Sequence, residues 1–334
     1  MHRGLVRPAV WLVCAWIAAI AVVAALVLDA KRNALSGGER AAAAIAQVTE
    51  EHTARTFHSV SLTLAAIGDA WRLSRPAAND AAFRQLLRQR LKDLPYVRAI
   101  FVIGSDGRIV HDTDYPNTPA VLLADRDYFR AHRDQPALQR SVSAPVLSRT
   151  PGAGWFVSVT QRIGGDARFE GIVVAALRPG SFESLYARMA HGQDEVFALF
   201  HRNGTLVARH PASAPDIGRS FTHLPLFARI ESAAEGSYTV ERGHLVPGHR
   251  MVSYRSVAGW PFIVHVSYSR DAVLAGWRRS ASRRRGWKRW DSSPAASRTT
   301  STTWSGSSPT VCTFSSSAIP RRRATRPSAW RAAR

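Results

Sequence analysis

A run of twenty residues without a charge, Ala9–Leu28, limits what this chain can be more than any other feature of its sequence. At ~1.5 Å rise per residue, a helix of this length spans the ~30 Å hydrocarbon core of a membrane. Arg3 and Arg7 precede the run and predict that residues 1–8 lie in the cytoplasm. A cleaved signal peptide is the alternative, but the run is long for one and its Ala19–Ala21 triplet lies inside it. We therefore expect an uncleaved, single-pass anchor.

The formal net charge of +21 is concentrated in one segment of the chain. Residues 278–334 hold 14 basic side chains and one acid, so they contribute +13 of that charge. The rest of the chain is only mildly basic, which argues against a nucleic-acid partner. The two cysteines, Cys14 and Cys312, lie in the apolar run and in the basic segment, so the region between them has no disulfide and no thiolate metal site.

The basic segment 278–334 also differs from the rest of the chain in composition. It consists of Arg, Ser, Thr, Ala and Pro with isolated tryptophans, and it lacks apolar periodicity. Such a composition cannot bury a core and predicts disorder. A nucleic-acid-binding tail is one interpretation. We favour translation of GC-rich coding sequence out of frame, because the change is abrupt and acids almost vanish.

Helical patterns follow the anchor. Residues 31–73 predict one long helix, in which Phe57, Val60, Leu64, Ile67 and Trp71 form an apolar stripe on one face. We expect this helix to pack on its own domain further out and to form a homodimer contact near the membrane. A shorter helix is predicted at Asp80–Leu91.

Strand patterns occupy the remainder and occur twice. Val97–Ile103 is a β-rich run followed by a turn at Gly107, and Val196–His201 is followed by a turn at Gly204, 97 residues later. Met251–Ser253 similarly echoes Phe156 to Ser158 at a spacing of 95. Coincidence among common hairpins is the alternative. We favour a duplicated module, each copy a helix on an antiparallel sheet, with a ligand-binding, membrane-distal copy at 74–190 and a membrane-proximal copy at 191–277.

The segment Asp125–Phe129, with the sequence DRDYF, is the most informative stretch in the chain. With it come, in order, the turn Ser105–Gly107, SAPV at Ser143–Val146, SVTQRI at Ser158–Ile163 and FEGIVVAAL at Phe169–Leu177. Together these elements resemble the double Cache (PDC) sensor domains of bacterial histidine kinases, diguanylate cyclases and chemoreceptors, over roughly Lys31–Trp277.

The resemblance implies an α+β fold and a location. The fold would comprise an N-terminal transmembrane helix, a long stalk helix, two tandem PAS-like modules with antiparallel sheets, and a disordered tail. The anchor would lie in a bacterial inner membrane, with the sensor domain in the periplasm.

Six residues are candidates for ligand binding. The planar guanidinium of Arg126 can bind a carboxylate at two points, and Tyr128 and Phe129 offer apolar walls with one hydroxyl. Ser158 and Arg162 lie four residues apart on a predicted strand, so they share a face. Structural roles are the alternatives: Arg126 would pair with a neighbouring aspartate, and Arg162 would be a solvated strand residue. The predicted ligand site comprises Arg126, Asp127, Tyr128, Phe129, Ser158 and Arg162.

The chain departs from amino-acid-binding members of that family at two positions. Those members place a tyrosine four residues before the arginine, where this chain has Leu122, and an aspartate at the end of the later strand, which here is Val173–Leu177 without an acid. An α-ammonium group would then lack a counter-charge. We expect a mono- or dicarboxylate ligand and no cofactor. His111, Asp112 and Asp114 fit no metal-ligand spacing and predict a polar turn instead.

No nucleotide-binding, zinc-protease or hydrolase motif is present, and neither are histidine-kinase or diguanylate-cyclase motifs. We therefore expect a non-enzymatic sensing input module whose output domain has been lost. Two alternatives remain open. One is the N-terminal part of a cyclase or histidine kinase whose catalytic domain lies in another reading frame. The other is an envelope protein with a structural or interaction role.

Overall fold

The computed structural model describes residues 6–278 except 116, 117, 120, 151, 165–167, 191 and 193. The N-terminal residues 1–5 and the basic segment from 279 onward lie outside the described residues, and so does the prediction of disorder there.

One continuous helix, α1 (Val6–Ser74), contains both the apolar run and the predicted long helix. Its N-terminal part is apolar and exposed, as Trp11, Trp16 and Leu26 show. This is the only helix among the described residues that is long and apolar enough to cross a membrane. The helix ends two residues before Pro76, since the residue preceding a proline is disfavoured in helical conformation.

The C-terminal half of α1 packs against both sheets. The predicted stripe is confirmed, because Phe57, Val60, Leu64 and Ile67 are fully buried in the central core. Phe57 stacks on Phe182, in the connection between the two sheets, and on Phe262 of the second sheet. Elsewhere α1 packs on strands of both sheets, so one helix contacts the cores of both modules.

The first module is a six-stranded antiparallel sheet with α2 (Ala81–Lys92) and α3 (Asp127–Asp134). The strand order is β2-β1-β6-β5-β3, and β4 also pairs with β5. Strand bounds are β1 (Val97–Gly104), β2 (Ile109–Asp112), β3 (Arg140–Val142), β4 (Val146–Leu147), β5 (Trp155–Ile163) and β6 (Gly171–Leu177).

The second module repeats this arrangement. After α4 (Pro179–Met189), its five strands have the antiparallel order β8-β7-β11-β10-β9, and α5 (Pro225–Ile230) lies between β8 and β9. Strand bounds are β7 (Glu195–His201), β8 (Leu206–His210), β9 (Glu235–Val240), β10 (Arg250–Ser256) and β11 (Phe262–Ser269). The predicted α+β class with two antiparallel modules is confirmed.

Each sheet buries both of its faces. The inner face packs on α1, and the outer face packs on the short helix and loops of its own module. Strand β6 is buried at every position, which explains its unbroken apolar sequence.

The two hairpin glycines confirm the internal repeat in atomic detail. Gly107 and Gly204 both have left-handed φ values, of 78° and 92°. A Cβ atom on Gly107 would lie 2.5 Å from Ala124, and one on Gly204 would lie 2.3 Å from Thr222. In each module the glycine carbonyl also accepts a hydrogen bond from the segment that leads into the short helix, from Leu123 N in one and Phe221 N in the other. Glycine is thus required at both turns by φ and by close packing.

Candidate functional site

A small cavity lies on the outer face of the first sheet, beneath the segments that flank α3. Its floor comes from β1, β2 and β5 through Phe101, Ile109 and Phe156, and its rim comes from the loops around residues 121–128 and 148–150. The cavity volume is about 30 Å³, which is room for about one water. A ligand the size of an amino acid therefore needs the rim side chains to move.

Arg126 lies at the rim, directly before α3. Its Nη2 donates to the carbonyl of Leu147 at 2.9 Å, while its Nε is buried without a hydrogen-bond partner. Neither neighbouring aspartate pairs with it, because Asp125 is bonded to Arg149 and Asp127 to Arg130. The alternative structural role of Arg126, an ion pair with Asp125 or Asp127, is therefore wrong for the part of the chain that the structure describes.

The other predicted residues of the DRDYF segment divide between the cavity and the core. Tyr128 is buried in the cavity wall, and burial raises the pKa of its hydroxyl to about 12, so the hydroxyl remains protonated. Phe129 lies deeper, in the outer core, with its ring edge-on to Phe169. Asp127 points to solvent from the first turn of α3, where its charge stabilises the helix N-terminus.

Ser158 and Arg162 share the outer face of β5, but neither lines this cavity. Ser158 bonds to the hydroxyl of Ser143 at 2.8 Å. Arg162 is buried, donates to the carbonyl of His132 and lies 4.9 Å from the ring centroid of Phe169. Arg162 is therefore not a solvated strand residue, and its guanidinium anchors α3 to the sheet. A ligand contact from either residue remains a prediction.

Asp112 is a cavity residue that sequence analysis assigned to a polar turn. It sits at the end of β2 opposite Phe101, on the outer face. Its Oδ1 accepts hydrogen bonds from the backbone N of Asp114 and of Tyr115, at 2.6 and 3.1 Å. Burial raises the pKa of the Asp112 carboxyl above its ordinary value, opposed by its backbone hydrogen bonds and by the charge of Arg98, and Asp112 forms no salt bridge within 4 Å among the described residues. The prediction of a polar turn at His111 and Asp112 is wrong, because both residues belong to β2; the alternation of that strand could have placed Asp112 on the outer face.

Two further arginines, Arg98 and Arg149, line the cavity. Arg98 pairs with Asp114, and Arg149 pairs with Asp125, so both cations are neutralised locally. The cavity therefore presents one guanidinium, that of Arg126, and one carboxylate, that of Asp112, neither of which is in an ion pair with a described residue.

The described residues contain no group of three His, Cys, Asp or Glu side chains able to hold a metal ion. His111 points to the inner face, where its ring packs against Trp71 and Phe83. It is thus on the opposite side of the sheet from the cavity.

The comparisons agree with this architecture. A family model for the histidine kinase sensor domain of double Cache type matches residues 180–267. The extracellular domain assigned to a histidine kinase, rpHK1S-Z16, is 26% identical with a TM-score of 0.66, and the match covers 73% of this chain and 99% of that domain. Residues 180–267 are thus similar in sequence to double Cache sensor domains, and the fold matches one over 73% of the chain.

More distant ligand-binding domains share the fold. The ligand-binding domain of Mlp24 with asparagine is 14% identical, with a TM-score of 0.56 over 75% of this chain and 99% of that one. The ligand-binding domain of the Pseudomonas fluorescens chemoreceptor CtaA with L-serine is 13% identical, with a TM-score of 0.54 over 70% and 97%. A comparison with curated protein sequences found no match.

Sensor domains of this family are ligand-binding input modules and are not themselves catalytic. The family, the exposed apolar segment of α1 and the cavity together fit an extracellular sensor domain behind one candidate transmembrane helix.

Proposed function

We propose that this chain is the periplasmic, small-carboxylate-sensing input module of a membrane signalling protein, anchored in the inner membrane by Ala9–Leu28. Residues 74–190 would form the ligand-binding module. The observation that carries the proposal is Arg126, whose guanidinium stands at the rim of a cavity without a carboxylate partner among the described residues. A ligand carboxylate would supply that partner and satisfy the buried Nε.

The charge pattern of the cavity favours a ligand with both a carboxylate and an amine. The sequence argument for a simple organic acid rested on the missing acid on β6, and Asp112 on β2 offers an equivalent counter-charge from a different strand. Related domains have been solved with asparagine, L-serine and GABA. We therefore rank amino acids and short ω-amino acids ahead of mono- and dicarboxylates.

Signal transfer would use α1, because this helix packs on both modules and continues into the apolar segment. Gly38 of α1 packs beside Met251 in the second module, whereas Gly68 packs beside Gln161 in the first. The second module therefore lies nearer the apolar segment. Ligand binding that draws the cavity rim toward the first sheet would shift the position of α1 relative to the α1 helix of the other copy in a homodimer.

The test is a thermal-shift screen of the full chain in detergent micelles against amino acids, ω-amino acids and short carboxylic acids. At least one compound should raise Tm saturably, and Arg126→Ala should remove that rise. Arg130→Ala is the matched control, because Arg130 lies one turn after Arg126, in α3, with its side chain half-exposed. A ligand whose stabilisation survives Arg126→Ala would contradict the assigned site. A screen without any saturable stabiliser would favour the structural or interaction role.

A second candidate, the front part of a signalling enzyme, is favoured by the match to a histidine kinase sensor domain. Resequencing the gene beyond codon 277 and translating all three frames tests it. Kinase or cyclase motifs in another frame would establish it, and their absence from all frames would exclude it.

A further inference from the structure

The second module has its own cavity on the outer face of its sheet, displaced toward β9, β10 and β11 relative to the cavity of the first module. It lies between the outer face of β10 and β11 and the loop of residues 241–249. Leu224, Tyr238, Leu245, Arg250, His265 and Ser267 are among the residues that line it. Its volume is about 20 Å³, which is room for about one water or a similarly small ion.

The registers of the two sheets show which residues correspond. Asp112 lies opposite Phe101 in the first sheet, and Arg209 lies opposite Ala198 in the second. Arg209 follows Asp112 by 97 residues, and Ala198 follows Phe101 by the same number, so the two pairs correspond. In the same way His265 takes the place of Val174 on the central strand. Leu224 precedes α5 as Arg126 precedes α3.

The second cavity is therefore built with a different set of charges. Where the first module has Arg126 before its short helix, the second module has Leu224. Where the first has Asp112 on its second strand, the second has Arg209. Its central strand carries polar side chains, His265 and Ser267, where the first module has an apolar face. A cavity of this composition cannot bind the same ligand in the same way.

Arg250 is the charge that this cavity leaves unbalanced. It is only 3% exposed, and no carboxylate of a described residue lies within 4 Å of its guanidinium. Its Nη2 donates to the carbonyls of Asp194 and Ser267 at 2.7 and 2.9 Å, while its Nε is buried and unbonded. The described hydrogen-bond acceptors of Arg250 are all neutral, and the charge of Asp194 acts on it without forming a salt bridge. A buried cation without a direct carboxylate partner is costly, so an anion at this place would be favoured.

His265 adds a hydrogen-bonding group beside Arg250. It is 6% exposed, and its Nδ1 is buried without a hydrogen-bond partner. Burial first, and then the charges of Arg250 and Arg209, lower the pKa of the imidazole to about 3, so the ring is neutral at physiological pH. Arg209 is itself paired with Asp216 and donates to the carbonyl of Leu245, which holds the loop over the cavity.

We propose that the second module binds a small monovalent anion in this cavity, with Arg250 as its charge partner and the His265 ring and the Ser267 hydroxyl as hydrogen-bond donors. The cavity volume favours an anion of about the size of chloride, and nitrate and formate serve as larger probes. This site is separate from the carboxylate site of the first module and does not depend on the function proposed for that site.

Anion titrations of the full chain in detergent micelles test the proposal. At fixed ionic strength, chloride, nitrate, formate or acetate replaces the much larger gluconate, and Tm is followed. At least one small anion should raise Tm saturably, with acetate the weakest because of its size. Arg250→Gln should weaken the apparent affinity by about 30-fold or more, since a buried charge partner is lost.

Three further variants separate the possible outcomes. Arg255→Gln is the matched control, because Arg255 lies on the same strand and pairs with Glu235 outside the cavity. Val240→Phe should fill the cavity and abolish the effect with Arg250 in place, and it decides the matter if Arg250→Gln does not fold. Arg126→Ala should leave the effect intact. Absence of saturable stabilisation by all four anions, its survival in Val240→Phe, or its loss in Arg126→Ala would overturn the proposal.

Discussion

The guanidinium of Arg149 is bonded to the carboxylate of Asp125 at the rim of the first-module cavity, with Nη1 2.7 Å from Oδ1. The same Nη1 lies 2.8 Å from the carbonyl of Leu122. Through these bonds the loop after β4 is held to the segment that leads into Arg126 and α3. The ion pair lowers the pKa of the Asp125 carboxyl to about 2, so it stays charged throughout the physiological range.

Asp125→Asn should therefore weaken ligand binding more than it weakens the fold. The pair is exposed, and exposed ion pairs contribute little to stability. We expect an unchanged Tm without ligand and a several-fold loss of affinity for the compound found in the screen, measured by calorimetry. Asp134→Asn is the control, because that exposed acid pairs with Arg133 away from the cavity. Equal affinities of the two variants would show that the rim contact has no role in binding.

Asp112→Asn should change ligand preference. The amide keeps the acceptor oxygen for the backbone N–H groups of Asp114 and Tyr115 but removes the negative charge. Affinity for an amino acid should fall by about tenfold or more, which is 1.4 kcal/mol, while affinity for a carboxylate without an amine should be unchanged or higher. Competition calorimetry with a matched pair of ligands measures both. A uniform loss for the two ligands would contradict the counter-charge role of Asp112.

Gly107→Ala should destabilise the protein by more than its backbone angle alone requires. A left-handed φ costs an alanine about 1 kcal/mol, and the new Cβ would also meet the backbone of Ala124, with Cα at 2.7 Å. Gly152→Ala is the control, since Gly152 has a φ of 76° with open space around it. The difference between the two variants in urea unfolding isolates the packing term. Similar losses for both would show that the close approach to Ala124 relaxes freely.

His111→Leu should raise stability and flatten its dependence on pH. Both ring nitrogens of His111 are buried without partners, which costs about 1–3 kcal/mol. Burial, helped by Arg84 and opposed by Asp80, lowers the His111 pKa. Below pH 6.5 the unfolded chain then takes up a proton that the folded chain does not, so stability falls as pH falls. Urea unfolding at pH 7.5 and pH 5.5 should show a smaller loss in the variant. If the original protein and the variant lost equal stability between pH 7.5 and pH 5.5, that pH dependence would come from other groups.

Leu62→Glu should weaken self-association of the chain. Val48 and Leu62 are exposed apolar residues of α1 at a spacing of 14, or two heptads, so they lie on one stripe of the helix. Neither side chain contributes to the core, and a homodimer contact would explain why both are apolar although they are exposed. Sedimentation in detergent compares this variant with Gln89→Glu, which adds the same charge on the exposed face of α2. Unchanged association of Leu62→Glu would place the dimer contact elsewhere.

The sequence by itself determined the elements of this protein that depend on short-range pattern. The apolar run predicted the candidate membrane-spanning segment, the 3.6-residue stripe predicted the buried face of α1, and the glycines at 107 and 204 predicted the two hairpins. These features follow from local sterics, periodicity and burial, which neighbouring residues encode. The DRDYF segment also identified Arg126 as the cavity cation.

Only the tertiary structure decided which charges meet. Asp112 and Arg149 come from segments 37 residues apart, and they join Arg126 because the sheet and its loops fold over one face. Arg126 is unpaired because Arg149 and Arg130 take its neighbouring acids, which no local pattern encodes. Likewise the register between β10 and β11 brings the buried Arg250 and His265 to one cavity. Long-range strand pairing sets these contacts, and a change of one residue in register would have turned each side chain to the opposite face.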